Sequence, residues 1–253
     1  MRYPRGPKAS PRLALAVMAK APIPGEAKTR LGATLGHQRA ASVYSGLLAD
    51  TLAIVDALAR QFDGAERLVV CPNAEHASQL GRIAGPEWTI APQQRTGLLG
   101  GIADAFDFGF ARGANLVVVT DADSPLALAN YLADCVALTV DSDLVLGPTR
   151  DGGYYLIAAG ESARPRLADL LLGVTYDSAT ICAATTARGR ALDLSVGFGP
   201  RDLDVDTRDD LRELTSQLAA VPSPLLAQTR GQLDQLSRES ILDAQPMMRR
   251  AGR

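Results

Sequence analysis

Val117-Val118-Val119-Thr120-Asp121-Ala122-Asp123-Ser124-Pro125 is an apolar, β-branched run that ends in two acidic residues one position apart and is stopped by a proline. β-Branched side chains suit a pleated surface, so the run predicts a strand over Leu116 to Thr120 whose carboxyl end carries both acids. Residues i and i+2 of extended chain point to the same side, roughly 7 Å apart, so Asp121 and Asp123 can converge on one divalent cation. Oxygen-only ligation suits magnesium or manganese, and those metals usually escort phosphates. A local reading competes with this one. Ser124 before Pro125 is a good N-cap and first helical residue, and an upstream acid favours the helix dipole. That accounts for one carboxylate. The second is repelled by its like-charged neighbour unless a cation joins them.

Working outward, short apolar runs alternate with segments of helical period, the pattern of a parallel sheet with crossover helices. Strands are expected at Leu13 to Ala19, Leu68 to Cys71, Trp88 to Ala91, Leu116 to Thr120, Leu144 to Leu146, through Tyr154 to Ala158 and at Leu192 to Val196. Helices are expected from about His37 to Arg60, over 75–84, from Gly97 to Arg112, from Pro125 to Val140, over 164–188 with a break near Gly173, and from Asp206 to about Ala220. Residues 1–12 are basic and proline-rich and read as a flexible arm; residues 13–220 read as the main domain. Val221-Pro222-Ser223-Pro224 reads as a linker. Beyond it, Leu225, Leu226, Leu233, Leu236, Ile241 and Leu242 form one face of an amphipathic helix that makes a homodimer plausible, followed by a basic tail at Arg249 to Arg253.

With 253 residues, 47% of them hydrophobic, the chain can bury a sizeable core. Its net charge of -2 argues against a broad nucleic-acid surface. Cys71, Cys135 and Cys182 are scattered without a CxxC and read as apolar residues in a reducing compartment. His37 and His76 are the only histidines, too few for the usual zinc ligand sets. The run Leu13 to Ala19 is too short to span a membrane. A cytoplasmic protein with neither a nucleic-acid nor a membrane partner is expected.

In open α/β sheets ligands bind outside the carboxyl ends of the strands, so the loops there should meet around one cleft. The first, Lys20-Ala21-Pro22-Ile23-Pro24-Gly25-Glu26-Ala27-Lys28-Thr29-Arg30, is shaped by Pro22, Pro24 and Gly25 and carries Lys20, Lys28 and Arg30. A rigid loop with cations at its ends suits a diphosphate, although an ordinary solvated loop would look the same. In Gly147-Pro148-Thr149-Arg150-Asp151-Gly152-Gly153, the paired glycines permit positive φ and close approach to a ligand, and Asp151 can orient or deprotonate a hydroxyl. A simple turn between strands explains the same residues. Asp204 and Asp206 again sit at i and i+2, and one of them, with Asp206 preferred, can complete a metal's shell; Thr207 with Asp210 fits a helix cap. Gly97 and Gly100, at a helix start, can admit a base or ribose.

These blocks, in this order, resemble a bacterial family of GT-A-like glycosyltransferases related to the molybdenum cofactor and 2-phospho-lactate guanylyltransferases. The resemblance rests on Ala19-Lys20-Ala21-Pro22-x-Pro24-Gly25-x-x-Lys28-Thr29-Arg30-Leu31, on Asp123-Ser124-Pro125, on Gly147-Pro148-x-x-Asp151-Gly152-Gly153-Tyr154-Tyr155-Leu156-Ile157 and on Asp204-Val205-Asp206-Thr207, and covers about residues 13–219. It implies a Rossmann-like nucleotide-diphospho-sugar transferase fold, a three-layer α/β/α sandwich around a mostly parallel sheet with a nucleotide at its carboxyl edge. Asp121 stands where the family has glycine, making a DxD pair of the kind glycosyltransferases use for metal and diphosphate. Ile102 stands where an arginine is usual, and Tyr176-Asp177-Ser178 replaces a tryptophan-serine-threonine step; both bear on acceptor specificity and on activity.

The expected activity is transfer of a sugar from a nucleotide-diphospho-sugar to a small acceptor, with magnesium or manganese on Asp121, Asp123 and Asp206. Lys20, Lys28 and Arg30, with Gly152 and Gly153, would face the phosphates, and Asp123 and Asp151 would act at the reacting centre. Nucleotidyl transfer with release of pyrophosphate, and a nucleotide-binding regulator without chemistry, are the alternatives.

Overall fold

The computed structural model describes residues 11–220, 226–239, 241 and 242. Most of the basic arm, the linker at 221–224, Leu225 and the basic tail lie outside them. Among the described residues seven strands form one sheet: β1 Leu13–Met18, β2 Glu66–Cys71, β3 Thr89–Pro92, β4 Leu116–Thr120, β5 Leu144–Pro148, β6 Tyr154–Gly160 and β7 Val196–Phe198. Their order across the sheet is β3-β2-β1-β4-β6-β5-β7. All pairings are parallel except those of β6, which runs antiparallel to both β4 and β5.

The helices are α1 Thr29–Leu35, α2 His37–Ala59, α3 Ala74–Ala84, α4 Gly97–Ala111, α5 Pro125–Leu138, α6 Leu167–Leu172, α7 Ile181–Ala191, α8 Arg208–Ala220 and α9 Ala227–Arg238. Successive residues of a strand point to opposite faces, and β1 divides its side chains accordingly. Leu13, Leu15 and Val17 enter one core with residues of α2, α5, α8 and α9, while Ala14 and Ala16 enter a second core with α4, α6 and α7. The result is the expected α/β/α sandwich. α2 is long and apolar enough to cross a membrane, yet it is mostly buried as the core helix of the first layer.

Several expectations shift. The chain turns helical at Thr29, eight residues before His37, because the left-handed backbone of Lys28 (φ 48°) starts α1 directly from the loop. The segment 164–188 is broken over 173–180 rather than at Gly173 alone, since the Asp177 carboxylate accepts from Ala179 N and Thr180 Oγ1 and opens α7 afresh. The last strand starts at Val196: Leu192 and Asp193 still bond back to α7, and Leu194 reaches the core from this turn.

The apolar face of α9 is used inside the chain. Leu226, Leu233, Leu236 and Leu242 are buried in the first core, and the buried Asp50 of α2 accepts the N–H groups of Gln228 (3.2 Å) and Thr229 (2.7 Å) at the start of the helix. Those four leucines are therefore taken up within the chain. Cys71, Cys135 and Cys182 are free thiols.

Candidate functional site

The strand order reverses between β1 and β4, the place where open α/β sheets leave a crevice. The loops after β1 and β4 leave the same edge side by side. β6 runs back from that edge, so the turn joining β5 to it, residues 149–153, also lies there. Residues 202–206 arrive from β7: Thr149 and Asp202 form a β-bridge, and Arg150 N–H donates to Asp202 O (3.1 Å). Three of these loops, with Leu98 and residues of 176–181, line a cleft of about 230 Å³ that includes Asp121, Asp123, Asp151, Asp204 and Asp206, and the loop after β1 reaches its carboxylates through Lys28. A larger cavity of about 720 Å³ opens at the opposite edge, where β4 begins, and holds none of these carboxylates.

Lys28 is the centre of the site. Its side chain is 3% exposed, unusual for a lysine, and its Nζ lies 2.9 Å from Asp123 Oδ2, 2.9 Å from Asp206 Oδ1 and 3.7 Å from Asp204 Oδ1. Burial alone would lower its pKa; the carboxylates of Asp123, Asp204 and Asp206 outweigh that and hold the ammonium above the ordinary lysine value. A non-glycine residue in the left-handed region costs about 1 kcal/mol or more and persists where the surroundings over-determine it, as the three ion pairs do here. Arg30 Nη1 reaches Asp206 Oδ2 at 3.0 Å, so both oxygens of Asp206 are engaged. Burial would raise the Asp206 pKa, but Lys28 and Arg30 carry it below the usual carboxylate value. Asp204 is the opposite case. Burial, then the charges of Asp123, Asp206 and Asp151, push it up to about 7 against the pull of Lys28.

The acidic pair after β4 divides. Asp121 Oδ1 accepts from the backbone of Asp123 (3.1 Å) and Ser124 (3.2 Å), and its Oδ2 accepts from Ser124 Oγ (3.0 Å). It lines the cleft with both oxygens spent on its own turn. Burial, with the charges of Asp204 and Asp123, raises its pKa well above the carboxylate range. Asp123 instead meets Lys28, and its buried Oδ1 has no hydrogen-bond partner; buried Asp204 Oδ1 has none either. Two carboxylate oxygens without a hydrogen bond beside a cleft, one of them 3.7 Å from Lys28, fit a divalent cation whose remaining ligands are water and phosphate oxygens. Among the described residues no three His, Cys, Asp or Glu side chains converge as a preformed metal site. Lys28 holds that centre.

The other expected residues take distinct places. Lys20 is exposed, and its Nζ donates to Glu26 O (3.3 Å). Pro24 and Gly25 occupy the middle of the turn closed by Glu26 N–H to Ile23 O (3.0 Å), and Gly25 has the positive φ (89°) that such a turn requires. Pro22 withholds an N–H just before it. Asp151 Oδ1 accepts from Thr149 Oγ1 (2.5 Å) and Gly153 N–H (3.1 Å), leaving Oδ2 for the cleft that the residue lines. Gly152 (φ 104°) serves the fold: a Cβ there would lie 2.0 Å from Ala179 O, so its bareness seats the 177–180 segment. Gly153 lines the cleft. Gly100 packs on Arg95, where a Cβ would meet the Arg95 Cβ at 2.8 Å, and Gly97 begins α4 with a positive φ. Neither Gly97 nor Gly100 lines the cleft; Leu98 between them does, as does Tyr176, and both are about half exposed.

Some residues escaped the sequence reading. Buried Asp104 accepts from Gln94 N–H (2.5 Å), Arg95 N–H (2.8 Å) and Arg95 Nη1 (2.5 Å), fixing the turn into α4. Tyr44 and His76 bond the loop after β1. A lone acid, tyrosine or histidine on a helix carries no spacing signal that would have found them.

Comparison with solved structures places this architecture. A protein of Desulfovibrio desulfuricans G20 named as a nucleotide-diphospho-sugar transferase superposes with a TM-score of 0.78 at 24% identity, over 92% of this chain and 98% of that one. The fold is that of the nucleotide-diphospho-sugar transferases. Residues 54–178 match the family model described as an uncharacterized protein conserved in bacteria (DUF2064). More distant likenesses sharing this transferase fold are a cytidylyltransferase from Leptospira borgpetersenii (TM-score 0.55, 13% identity, 93% and 98% of the two chains) and a 4-diphosphocytidyl-2C-methyl-D-erythritol synthase from Anaerococcus prevotii (0.55, 12%, 82% and 98%). No curated protein matches the chain in sequence.

Proposed function

We propose that the protein is a metal-assisted transferase that passes a sugar from a nucleotide-diphospho-sugar to the hydroxyl of a small acceptor. The carrying observation is a pair of buried oxygens without a hydrogen bond among the described residues, Asp123 Oδ1 and Asp204 Oδ1, the latter held only by the long ion pair with Lys28 (3.7 Å), in a cleft that Asp151 also lines. Magnesium or manganese held by Asp123 and Asp204 would stabilise the charge of the departing nucleoside diphosphate. Lys28 gathers the carboxylates, and its partner Asp206 also holds Arg30. Lys20, the loop cation with no carboxylate partner among the described residues, is free to offset phosphate charge. Asp151 Oδ2 orients the acceptor hydroxyl and accepts its proton. Leu98 and Tyr176 offer apolar surface to the base or the acceptor.

One observation favours a second reading. Both oxygens of Asp121 are spent locally, which leaves Asp123 as the working aspartate of its loop. A single aspartate there also serves nucleotidyl transfer, in which a phosphorylated acceptor attacks the α-phosphorus of a nucleoside triphosphate and pyrophosphate leaves.

A thermal-shift panel of nucleoside diphosphates, triphosphates and nucleotide sugars, with and without manganese, identifies the donor, because a ligand of the native state raises its stability. Turnover of the best donor then decides: released nucleoside diphosphate supports sugar transfer, and pyrophosphate supports nucleotidyl transfer. Asp123→Asn should abolish turnover while Asp121→Asn keeps most of it. Binding without turnover across all donors and acceptors would replace both readings with a nucleotide-binding regulator.

A further inference from the structure

The loop that delivers Lys28 has few ties of its own. Pro22 and Pro24 have no N–H, and the internal bonds are Ile23 N–H to Ala21 O (2.8 Å), with Glu26 N–H and Ala27 N–H to Ile23 O (3.0 and 3.3 Å). Its far end is held by the ion pairs of Lys28 and Arg30, and Ala21 and Ala27 pack in the first core; the backbone at its start is held by side chains of two helices. Lys20 N–H donates to Tyr44 Oη of α2 (3.1 Å), and the next residue's N–H, that of Ala21, donates to His76 Nδ1 of α3 (2.9 Å). Both residues are buried. Because Nδ1 accepts, the proton of a neutral imidazole is on Nε2, which faces Glu26 Oε2 at 3.2 Å. The backbone of His76 is itself held, its N–H donating to Asn73 Oδ1, the cap of α3 (3.1 Å). One imidazole therefore clasps the loop at Ala21 and again at Glu26, two residues before Lys28. Tyr44 stands near enough to the cluster that, after burial, the Asp123 charge is the next cause raising its phenol pKa.

We infer that Tyr44 and His76 are positioning residues of the nucleotide site: they fix two consecutive N–H groups of the loop and, through it, the place of Lys28 among Asp123, Asp204 and Asp206. A buried neutral imidazole has one donor and one acceptor to satisfy, and His76 turns both to the same loop. Here two helices, through three contacts, hold the one loop that carries Lys28 to the carboxylates of the cleft. The inference rests on the transferase reading only for what the loop binds.

The test uses the full-length protein with Tyr44→Phe, His76→Leu, which fills space without an acceptor, and His76→Asn, which keeps an oxygen where Nδ1 stands. Amide exchange of Lys20 in Tyr44→Phe and of Ala21 in His76→Leu should quicken about tenfold, as expected when a buried donor loses its acceptor. The strands β1 and β4 should be unchanged, and His76→Asn should approach wild type. In the presence of manganese, the nucleotide that most stabilises the wild type should bind about tenfold more weakly to Tyr44→Phe and His76→Leu and regain affinity in His76→Asn. Unchanged loop exchange, equal loosening of β1 and β4, no recovery in His76→Asn, or a loosened loop with undiminished affinity would each overturn the inference. If the wild type takes up no nucleotide, the transferase reading falls, and loop exchange with its recovery in His76→Asn decides the positioning role alone.

Discussion

Lys28 Nζ stands 2.9 Å from Asp123 Oδ2, joining the loop after β1 to the loop after β4 across the point where the strand order reverses. The same ammonium binds Asp206, so one buried cation ties three loops of the cleft together.

Lys28→Met should therefore be costly. It leaves several carboxylates in a confined site without a counter-charge, and breaking a buried pair from one side costs about 3–5 kcal/mol. For a chain of this size that corresponds to a melting temperature lower by on the order of 10 °C near pH 8. The deficit should shrink by pH 5, because protonation relieves the repulsion. Thermal unfolding at the two pH values measures both; equal deficits would contradict the electrostatic account.

Asp204 and Asp206 should give stability profiles of opposite sign. Asp204 ionises at about 7 when folded, and near 4 when unfolded, so the folded state binds more protons between those values. Its contribution is full below about pH 4 and is lost as the pH rises towards 7. Asp206 is held below the usual value, so its contribution is present above about pH 4 and is lost as the pH falls through its depressed pKa. Asp204→Asn should gain a few kcal/mol at pH 8, up to about 4 for a difference of about three pKa units, and nothing at pH 4. Asp206→Asn should lose roughly 1–3 kcal/mol at pH 8. Urea titrations across that range read the two slopes.

Gly152→Ala should disturb the cleft's wall without touching a charge. The new Cβ would lie 2.0 Å from Ala179 O, and the backbone φ of 104° is hostile to any L side chain. A loss of roughly 2–4 kcal/mol in chemical denaturation, with faster amide exchange over 177–180, is expected. A neutral result would mean that the segment relaxes freely.

Asp50→Ala should loosen α9. It leaves the N–H groups of Gln228 and Thr229 without the buried carboxylate that caps the helix, a loss of about 1–2 kcal/mol. Limited proteolysis should then cut near the start of α9 before it attacks the sheet.

The sheet was largely legible in the sequence because it is written in local periods. The apolar runs that became β1, β2, β4 and β5 needed only a two-residue alternation or a short buried stretch, and the helices α2, α4 and α5 only their apolar stripes. Segments governed by single contacts were harder: the entry into α1 depends on one left-handed lysine, and the 173–180 break on the Asp177 carboxylate and the seat provided by Gly152.

For the site, the sequence by itself determined which loops would meet, since each strand's carboxyl end must lie at one edge of a parallel sheet, and it determined that they would carry Lys28, Asp121, Asp123, Asp151, Asp204 and Asp206. Only the tertiary structure decided the partnerships. The spacing of Asp121 and Asp123 suggested equal ligands, yet one closes its own turn and the other meets Lys28. The loop cations looked like three free phosphate contacts, yet Lys28 binds Asp206, 178 residues away, and Arg30 shares that carboxylate. Hydrophobic period encodes the local backbone path. Pairing between loops depends on strand order, side-chain reach and burial, which settle only when the sheet has closed up its neighbours.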